Sequence, residues 1–229
     1  MNCYFAEAGL EISAPCEKKL EIFKNLLIGH NKLYNLTAIC DDEGIYVKHF
    51  CDSILPEKFF PQGASVVEVG SGAGFPSVPL KIVRDDLSFT LIESTGKKCA
   101  FLNTVVDNLS LNGVKVLNIR AEDGGRMQNL REKFDVCTAR AVAALNTLCE
   151  YCLPFVKVGG RLIAYKGDCA DELEKSRGAI KILGGEIERI ENYELPCNGG
   201  KRTVVIIKKV GATPLKYPRG RGLERKKPL

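Results

Sequence analysis

Apolar and polar positions change their period along this chain of 229 residues. Between residues 15 and 34 the apolar side chains recur at helical spacing, with Leu20, Phe23, Leu27 and His30 on one face and acids and lysines on the other. This pattern predicts an amphipathic helix. A second helical segment is predicted over residues 46–55, so that two helices precede the rest of the fold as a helical cap.

From residue 65 onward, short apolar runs alternate with helical segments. The strands that we predict are 65–69, 88–92, 115–119, 135–139, 160–166, 186–192 and 202–209. Helices are predicted near 75–84, 97–110, 143–156 and 169–183. Strands and helices that alternate through short connections indicate an α/β fold, a mostly parallel, doubly wound sheet with helices on both faces.

A glycine-rich loop follows the first predicted strand. The run from Glu68 to Gly74 reads E-x-G-x-G-x-G, with Gly70, Gly72 and Gly74 at alternate positions. A dinucleotide fingerprint would need a further glycine where the chain has Phe75, so that ligand class is disfavoured. The pattern instead resembles motif I of the class I S-adenosylmethionine-dependent methyltransferases. A turn without a ligand remains the alternative, because glycine also serves where backbone geometry alone demands it.

Polar side chains stand where the other predicted strands end. Ligands of open α/β sheets bind outside the carboxyl ends of the strands, so these residues form one candidate site. They are Glu93 after the second strand, Ala121 and Glu122 after the third, Arg140 after the fourth and Lys166 after the fifth. The carboxylate of Glu93 is placed to accept hydrogen bonds from both ribose hydroxyls of a nucleoside. The alternatives are a solvated strand-end acid at Glu93 and a structural ion pair at Arg140.

Composition excludes several classes of protein. Apolar residues make up 45% of the chain and charged residues 27%, as in ordinary globular proteins. No apolar run approaches the roughly 20 residues of a membrane span, and the first residues do not resemble a signal peptide. We therefore expect a cytoplasmic monomer without a membrane partner. The ten cysteines are scattered, with one C-x-x-C pair at Cys149 and Cys152, and there are only two histidines, so buried thiols are favoured and no metal site is predicted.

The excess positive charge lies at the end of the chain. Residues 211–229 hold six basic residues and one acid, which accounts for the whole net charge of +5. The basic residues are Lys216, Arg219, Arg221, Arg225, Lys226 and Lys227. A basic tail of this composition is expected to lack regular structure and either to contact nucleic-acid phosphates or to remain solvated. In either case, we expect the tail to lie away from the cofactor loops.

Several motifs together resemble one family, the small-subunit ribosomal RNA guanine-N7 methyltransferases known as RsmG or GidB. The segment 30–37 is similar to the family's N-K-x-x-N-L-T signature, and the segment 48–53 to its H-x-x-D-S segment. The remaining matches are the glycine loop 68–80, S-T-G-K-K at 94–98, T-A-R-A at 138–141, A-Y-K-G at 164–167 and Y-P-R at 217–219. Ser77 and the run 222–225 depart from the family pattern.

The resemblance implies a fold, a cofactor and an activity. The fold would be the class I methyltransferase fold, a Rossmann-like sheet of seven strands whose last strand inserts antiparallel. The family's S-adenosylmethionine contacts match Gly70, Phe75, Ala121, Glu122 and Arg140. The glycine loop and the strand ends add Gly72, Gly74 and Glu93 as further candidate cofactor contacts. The implied domains are a helical cap over 1–60, a methyltransferase domain over 61–210 and a basic tail over 211–229.

The implied reaction is methyl transfer to N7 of a guanine, of the 527 type, in the 16S ribosomal RNA of the small subunit. N7 has a free lone pair, so direct displacement needs alignment rather than a general base. Arg140 and Lys166 are the candidate catalytic residues. Directly after the fourth predicted strand the chain has neither the Asn-Pro-Pro-Tyr motif of exocyclic-amine methylation nor the Pro-Cys pair of cytosine-C5 methylation. A small-molecule methyltransferase and a nucleotide-binding oxidoreductase or non-catalytic binding module remain as alternatives.

Overall fold

A computed structural model describes residues 3–229 of the chain. Its helical cap begins with α1 (Cys3–Glu7) and α2 (Ala14–Tyr34). A continuous helical run follows, made of α3 (Asp42–Gly44), a π-helical stretch (Ile45–Cys51), α4 (Asp52–Ile54) and a 3-10 turn (Leu55–Phe59). The second cap helix predicted over 46–55 is therefore confirmed as helical, but its centre is π-helix, which the sequence pattern does not reveal.

Strands and helices alternate in the remainder of the chain. They are β1 (Ser65–Val69), α5 (Ser77–Val83), β2 (Ser88–Ile92), α6 (Gly96–Leu109), β3 (Val114–Leu117), α7 (Ala121–Gly124), β4 (Phe134–Arg140), α8 (Leu145–Cys152), β5 (Val156–Lys166), α9 (Ala170–Ile182), β6 (Gly185–Leu195), β7 (Gly200–Lys209) and α10 (Leu223–Lys226). All seven predicted strands are present. The helix predicted over 143–156 ends earlier because Pro154 lies in a short 3-10 turn, from which β5 starts directly.

The seven strands form one sheet in the order β3-β2-β1-β4-β5-β7-β6. Neighbouring strands pair in parallel except around β7, which is antiparallel to both β5 and β6. This architecture confirms the predicted class I methyltransferase fold, including the antiparallel last strand. The registers Val69 with Ile92, and Ile92 with Leu117, bring the carboxyl ends of β1, β2 and β3 to one edge.

Each face of the sheet carries its own core, because side chains alternate between the faces. Val67 and Val69 of β1 point to the face covered by α8, whose buried residues include both cysteines of the C-x-x-C pair. Val66 points to the opposite face, where Leu80 of α5 is buried. Six of the ten free thiols, including both of this pair, are buried as predicted, whereas Cys3 and Cys40 are exposed and Cys16 and Cys197 are half-buried.

The helical cap packs on the loop and helices that follow β1. Phe23 of α2 and Phe50 of the π-helix are fully buried and stack on each other with ring centroids 5.8 Å apart. Phe23 also contacts Phe75, 5.3 Å away between ring centroids, and α6 contributes Phe101 to the same cluster. The cap thereby extends the core rather than forming a separate one. Among the helices of residues 3–229, none combines the length and apolar character needed to cross a membrane.

The C-terminal segment is packed against the sheet domain, and the prediction of a tail without regular structure is wrong. The guanidinium of Arg131 donates hydrogen bonds to the carbonyls of Thr213 and Tyr217. Arg219 forms a bidentate pair with Glu150, a carboxylate with no exposed surface, at 2.7 Å between Nη2 and Oε2. A buried acid on α8 therefore holds the tail by its guanidinium.

Candidate active site

A cavity with a volume of about 630 Å³ lies at the carboxyl edge of the sheet. We call it the first cavity. Its lining comes from the ends of β1, β2 and β3, from the loop after β4, from α8 and from the C-terminal segment. The lining residues include Gly70, Glu93, Ala121, Glu122, Val142, Tyr151, Arg221, Gly222 and Arg225.

The three loop glycines occupy different positions relative to this cavity. Gly70 lines it with φ of +70°, and a Cβ at this position would stand only 2.8 Å from Cγ2 of Val142, which also lines the cavity. Gly74 also has positive φ, and a Cβ there would lie 2.6 Å from Val78 of α5. Gly72 has open space around it, and its N–H donates to Glu93. Gly70 thus keeps the cavity open, while the other two shape the loop.

Glu93 lies at the cavity wall and is itself held by the backbone. Its Oε2 accepts from the N–H of Gly72 at 3.0 Å, and its Oε1 accepts from the N–H of Thr95 at 2.8 Å. The side chain is 6% exposed, which contradicts the alternative of a solvated strand-end acid. Each carboxylate oxygen retains a second acceptor position, so Glu93 can still bind the hydroxyls of a ribose.

Ala121 and Glu122 begin α7 at the end of β3 and line the same cavity. Both are half-buried. Their position beside Glu93 brings a small apolar side chain and a carboxylate to one part of the wall. This is the arrangement that a purine needs, because its face is apolar and its exocyclic amine donates hydrogen bonds.

A second cavity, of about 380 Å³, opens at the same edge between the cap and the ends of β4 and β5. It is lined by Lys48, His49 and Asp52 of the helical run, by Arg140, Ala141, Tyr165, Lys166 and Gly167, and by Ile39 and Arg202. Arg140 and Ala141 line this cavity while Val142 lines the first one. Consecutive residues at the end of β4 and in the loop after it therefore line the two cavities.

Arg140 makes several contacts with the helical run. Its Nη1 donates to Oδ2 of Asp52 at 2.8 Å and to the carbonyl of Lys48 at 3.0 Å, and its Nη2 lies 3.0 Å from Nδ1 of His49. The guanidinium also lies over the ring of Phe75, 5.1 Å from its centroid. Arg140 is thus an ion-pair partner of Asp52 and at the same time a wall of the second cavity.

These contacts fix the tautomer of His49. A guanidinium can only donate, so Nδ1 of His49 must accept, and the ring proton resides on Nε2. Nε2 is 2.9 Å from Oγ1 of Thr37, which therefore accepts a hydrogen bond from the Nε2–H group. Burial, followed by the adjacent charge of Arg140, lowers the pKa of His49 to about 3. The imidazole is accordingly neutral and serves to orient Arg140 rather than to carry charge.

Asp52 joins this network to the far side of the sheet. Its Oδ1 accepts from the hydroxyl of Tyr193 at 2.9 Å and lies 3.6 Å from Nε of Arg202. Thr37, at the other end, is held by Asn31, whose amide oxygen accepts from its backbone N–H at 2.9 Å. The network therefore connects three of the sequence motifs, N-K-x-x-N-L-T, H-x-x-D-S and T-A-R-A.

Phe75 and Lys166 occupy less direct positions. Phe75 lines neither cavity, and its ring stacks on His49 at 4.3 Å between centroids. Nζ of Lys166 reaches the second cavity, where it donates to the carbonyl of Ala143 at 2.9 Å and pairs with Glu172 at 2.6 Å. Phe75 thus contacts both His49 and Arg140, and its predicted contact with the cofactor remains a prediction.

Glu68 is buried beneath the glycine loop. Neither of its carboxylate oxygens has a hydrogen-bond partner among residues 3–229, and the side chain has no exposed surface. Burial raises the pKa of Glu68 to about 8, so the carboxyl is neutral at pH 7. The sequence pattern places this acid correctly at the end of β1 but says nothing of its protonation.

Sequence reasoning missed several residues of both cavities. His49 and Asp52 lie within a recognised motif, but no role is derived for them from the sequence, and their polar side chains on an otherwise apolar helical segment were the available signal. Tyr193 and Arg202 come from the last two strands and gave no signal. Arg221 and Arg225 line the first cavity, so the expectation that the tail lies away from the cofactor loops is wrong.

Comparison with known proteins gives consistent results. The family model described as rRNA small subunit methyltransferase G matches residues 16–202. A protein of this name from Lactobacillus johnsonii is 44% identical over 229 residues, which cover 98% of this chain and 96% of that protein. One from Acetivibrio thermocellus is 47% identical over 212 residues, covering 92% of this chain and 88% of that protein.

Solved structures agree on the fold. An O-methyltransferase from Thermotoga maritima that depends on S-adenosylmethionine superimposes with a TM-score of 0.57 at 15% identity, covering 82% of this chain and 72% of that one. A methyltransferase from Aquifex aeolicus with the same dependence gives 0.54 at 18% identity, covering 74% and 94%. From the extent of the sequence matches, the chain belongs to the rRNA small subunit methyltransferase G family.

Proposed function

We propose that this protein transfers a methyl group from S-adenosylmethionine to N7 of a guanine in 16S ribosomal RNA, at a position of the 527 type. Membership of the family makes the chain an S-adenosylmethionine-dependent methyltransferase. The finer assignment of base, atom and site residues is the proposal. The observation that carries it is the pair of cavities at one sheet edge, separated only by residues 140–142.

The first cavity fits the cofactor. Gly70 leaves room that a Cβ would fill, and Glu93 has acceptor positions directed at a vicinal diol. Ala121 and Glu122 would meet the adenine, and Gly72 and Gly74 would support the loop from behind. When bound, S-adenosylmethionine supplies an electrophilic methyl group on a sulfonium. Phe75 contributes indirectly, through its stacking on His49.

The second cavity fits a nucleotide of the RNA. Arg140, Lys166, Lys48 and Arg202 give it a cationic wall, and Asp52 is the acid among its lining residues. A guanidinium suits both a phosphate and the acceptor edge of guanine, where O6 and N7 lie side by side. Because N7 has no proton to lose, the protein need only hold the base in line and exclude water. With its pKa lowered to about 3, His49 is too weak a base to take up a proton at neutral pH, which suits a reaction with no proton to remove.

The network around Asp52 explains how Arg140 is oriented for this task. Asp52 and the carbonyl of Lys48 accept hydrogen bonds from Nη1, and His49 accepts one from Nη2, so both terminal nitrogens of the guanidinium are held. We propose that Arg140 orients the target nucleotide and borders the cofactor, and that Lys166 binds an adjacent RNA phosphate. A ribosomal RNA substrate also accords with a cytoplasmic, monomeric enzyme without a membrane partner.

Mapping of N7-methylguanine by borohydride and aniline cleavage tests this function. Ribosomal RNA from cells lacking the protein should lose one cleavage in the 16S molecule, and the wild-type protein should restore it. A matched chain carrying Arg140→Ala should not restore it. Retention of every cleavage in the deletion strain would refute the proposed reaction. Offering purified free RNA and intact small subunits in parallel then identifies the substrate form.

A further inference from the structure

The C-terminal segment forms part of the first cavity. Arg221, Gly222 and Arg225 line it, opposite the end of β3 that carries Glu122. Nη2 of Arg225 donates to the carbonyl of Val142 at 3.4 Å, and Val142 also lines the cavity. Arg221 and Arg225 are both exposed residues. A ligand in the cavity would therefore be bordered by the tail as well as by the strand ends.

Buried contacts hold this wall in place. Glu150 of α8 binds both the backbone N–H and the guanidinium of Arg219, at 2.8 Å and 2.9 Å to its Oε1. Glu224 has no exposed surface, and its carboxylate accepts from the N–H of Gly220, closing a tight turn. The hydroxyl of Thr147 donates to the carbonyl of Glu224 at 2.9 Å. The segment is thus fixed to α8 at both ends of the turn.

The turn itself directs the arginines. Gly220, Arg221 and Gly222 have φ of +78°, +59° and +73°, so three successive residues have positive φ before α10 begins. Left-handed backbone at a non-glycine residue persists where surrounding contacts impose it. Here, the contacts of Arg219 and Glu224 on either side impose it. The result is a rigid turn whose basic side chains meet a cavity that also holds Glu93 and Glu122.

We infer that the turn formed by residues 219–225 is a cofactor-binding element, and that Arg221 and Arg225 contact S-adenosylmethionine in the first cavity. The inference rests on the proposed placement of the cofactor there. Guanidinium groups can bind the carboxylate of the methionine moiety through paired hydrogen bonds or stack on the adenine. The positive charge of the tail is therefore used partly on the cofactor, and the exposed residues Lys216, Lys226 and Lys227 remain available to RNA.

Calorimetric titration of two ligands related to the cofactor tests the inference. S-adenosylhomocysteine carries the amino-acid moiety, and 5′-methylthioadenosine lacks it. The double variant Arg221→Ala/Arg225→Ala should bind S-adenosylhomocysteine about tenfold or more weakly than the wild type. The matched control, Lys226→Ala/Lys227→Ala, removes the same charge from the same tail and should bind normally. If the double variant binds both ligands more weakly, the arginines contact the adenosine. If it binds only S-adenosylhomocysteine more weakly, they contact the carboxylate.

A separate variant tests the cavity itself. Gly70→Val fills the first cavity from the opposite wall and should abolish binding if the cofactor lies there. If Gly70→Val loses binding in a folded protein while the arginine double variant binds normally, the inference about the tail is refuted and the cofactor site stands. If both bind normally, the cofactor site itself is wrong.

Hydrogen exchange on the unaltered protein gives a test that needs no variant. Binding of S-adenosylhomocysteine should slow amide exchange in residues 220–227, together with the glycine loop. Protection of the glycine loop without any protection of residues 220–227 would overturn the inference.

Discussion

The two cavities are built in different ways. The first is bounded largely by loops whose backbone conformation leaves space, with Gly70 at its wall and Glu93 held by two N–H groups. The second is bounded by side chains that hold one another, from Thr37 through His49 and Arg140 to Asp52. A ligand enters the first without displacing protein contacts. In the second, the positions of the functional groups depend on partners from distant segments.

This difference predicts different responses to mutation. A substitution in the first cavity should change ligand affinity more than stability, because few buried contacts are lost. A substitution in the network of the second should change both, because it leaves a buried charge without its partner. Three of the following measurements test this contrast, and the one on Glu68 tests the buried acid beneath the glycine loop.

The largest effect is expected for Arg140→Ala. Asp52 is 4% exposed and would keep its charge with only Tyr193 and the more distant Arg202 as partners. We expect the free energy of unfolding to fall by about 3–5 kcal/mol and turnover to be nearly lost. Urea unfolding and transfer of a tritiated methyl group to small subunits measure the two effects. Wild-type turnover at saturating RNA and cofactor would remove Arg140 from the active site.

Glu68→Gln should change how stability depends on pH. In the folded protein the pKa of Glu68 is raised to about 8 from an ordinary 4.5, so the folded state holds its proton where the unfolded state has lost it. Wild-type stability should therefore decrease as pH rises between these values, by about 1.4 kcal/mol per unit.

Glutamine removes that contribution. Relative to the wild type, the Glu68→Gln variant should gain about 3 kcal/mol between pH 5 and pH 7. Urea unfolding at both pH values measures the difference. Parallel stability curves for the two proteins would show that Glu68 is ionised in the folded state.

Glu93→Ala tests the first cavity. Loss of hydrogen bonds to the ribose should weaken binding of S-adenosylhomocysteine by about 1–3 kcal/mol. The N–H groups of Gly72 and Thr95 lose their acceptor, but water that fills the space left by the side chain can replace it. Stability should therefore change less than it does in Arg140→Ala. An unaltered dissociation constant would leave Glu93 with a purely structural role.

The smallest effect is expected for Lys166→Ala. Its ammonium is partly neutralised by Glu172 and lies at the rim of the second cavity. We expect turnover to fall about tenfold, or about 1.4 kcal/mol, with unchanged cofactor affinity. Lys175→Ala, on the exposed face of α9, is the matched control. Equal turnover in the two variants would exclude a role for Lys166 in RNA binding or catalysis.

The sequence predicts the first cavity better than the second. The strands 65–69 and 88–92 are predicted to the residue because β-branched and apolar residues fill them and glycines or acids end them. Residues at strand ends must meet at one edge, so Gly70, Glu93, Ala121 and Glu122 can be brought together from the chain order alone. The strands and loops that carry these residues can be predicted from the local residue pattern and the order of the elements.

The second cavity depends on contacts that no local pattern encodes. Asp52 and Tyr193 are 141 positions apart, and Asp52 and Arg140 are 88 positions apart. Similarly, a basic composition with glycine and proline predicts a loose tail, but the buried Glu150 and the half-buried Arg131 of the sheet domain bind it. The domain boundaries at 60 and 210 remain a prediction, since the cap and the tail both pack on the sheet domain.

The π-helical stretch Ile45–Cys51 restricts how this region can change its length. A π-turn accommodates one more residue than an α-turn, and each residue of an α-helix rotates the chain by about 100°. Ile45 and Phe50 are buried in the cap, while His49 faces Arg140. An insertion or loss of one residue here would rotate one of these groups away from its partners. Homologous chains should therefore vary in residue type but keep this segment free of gaps.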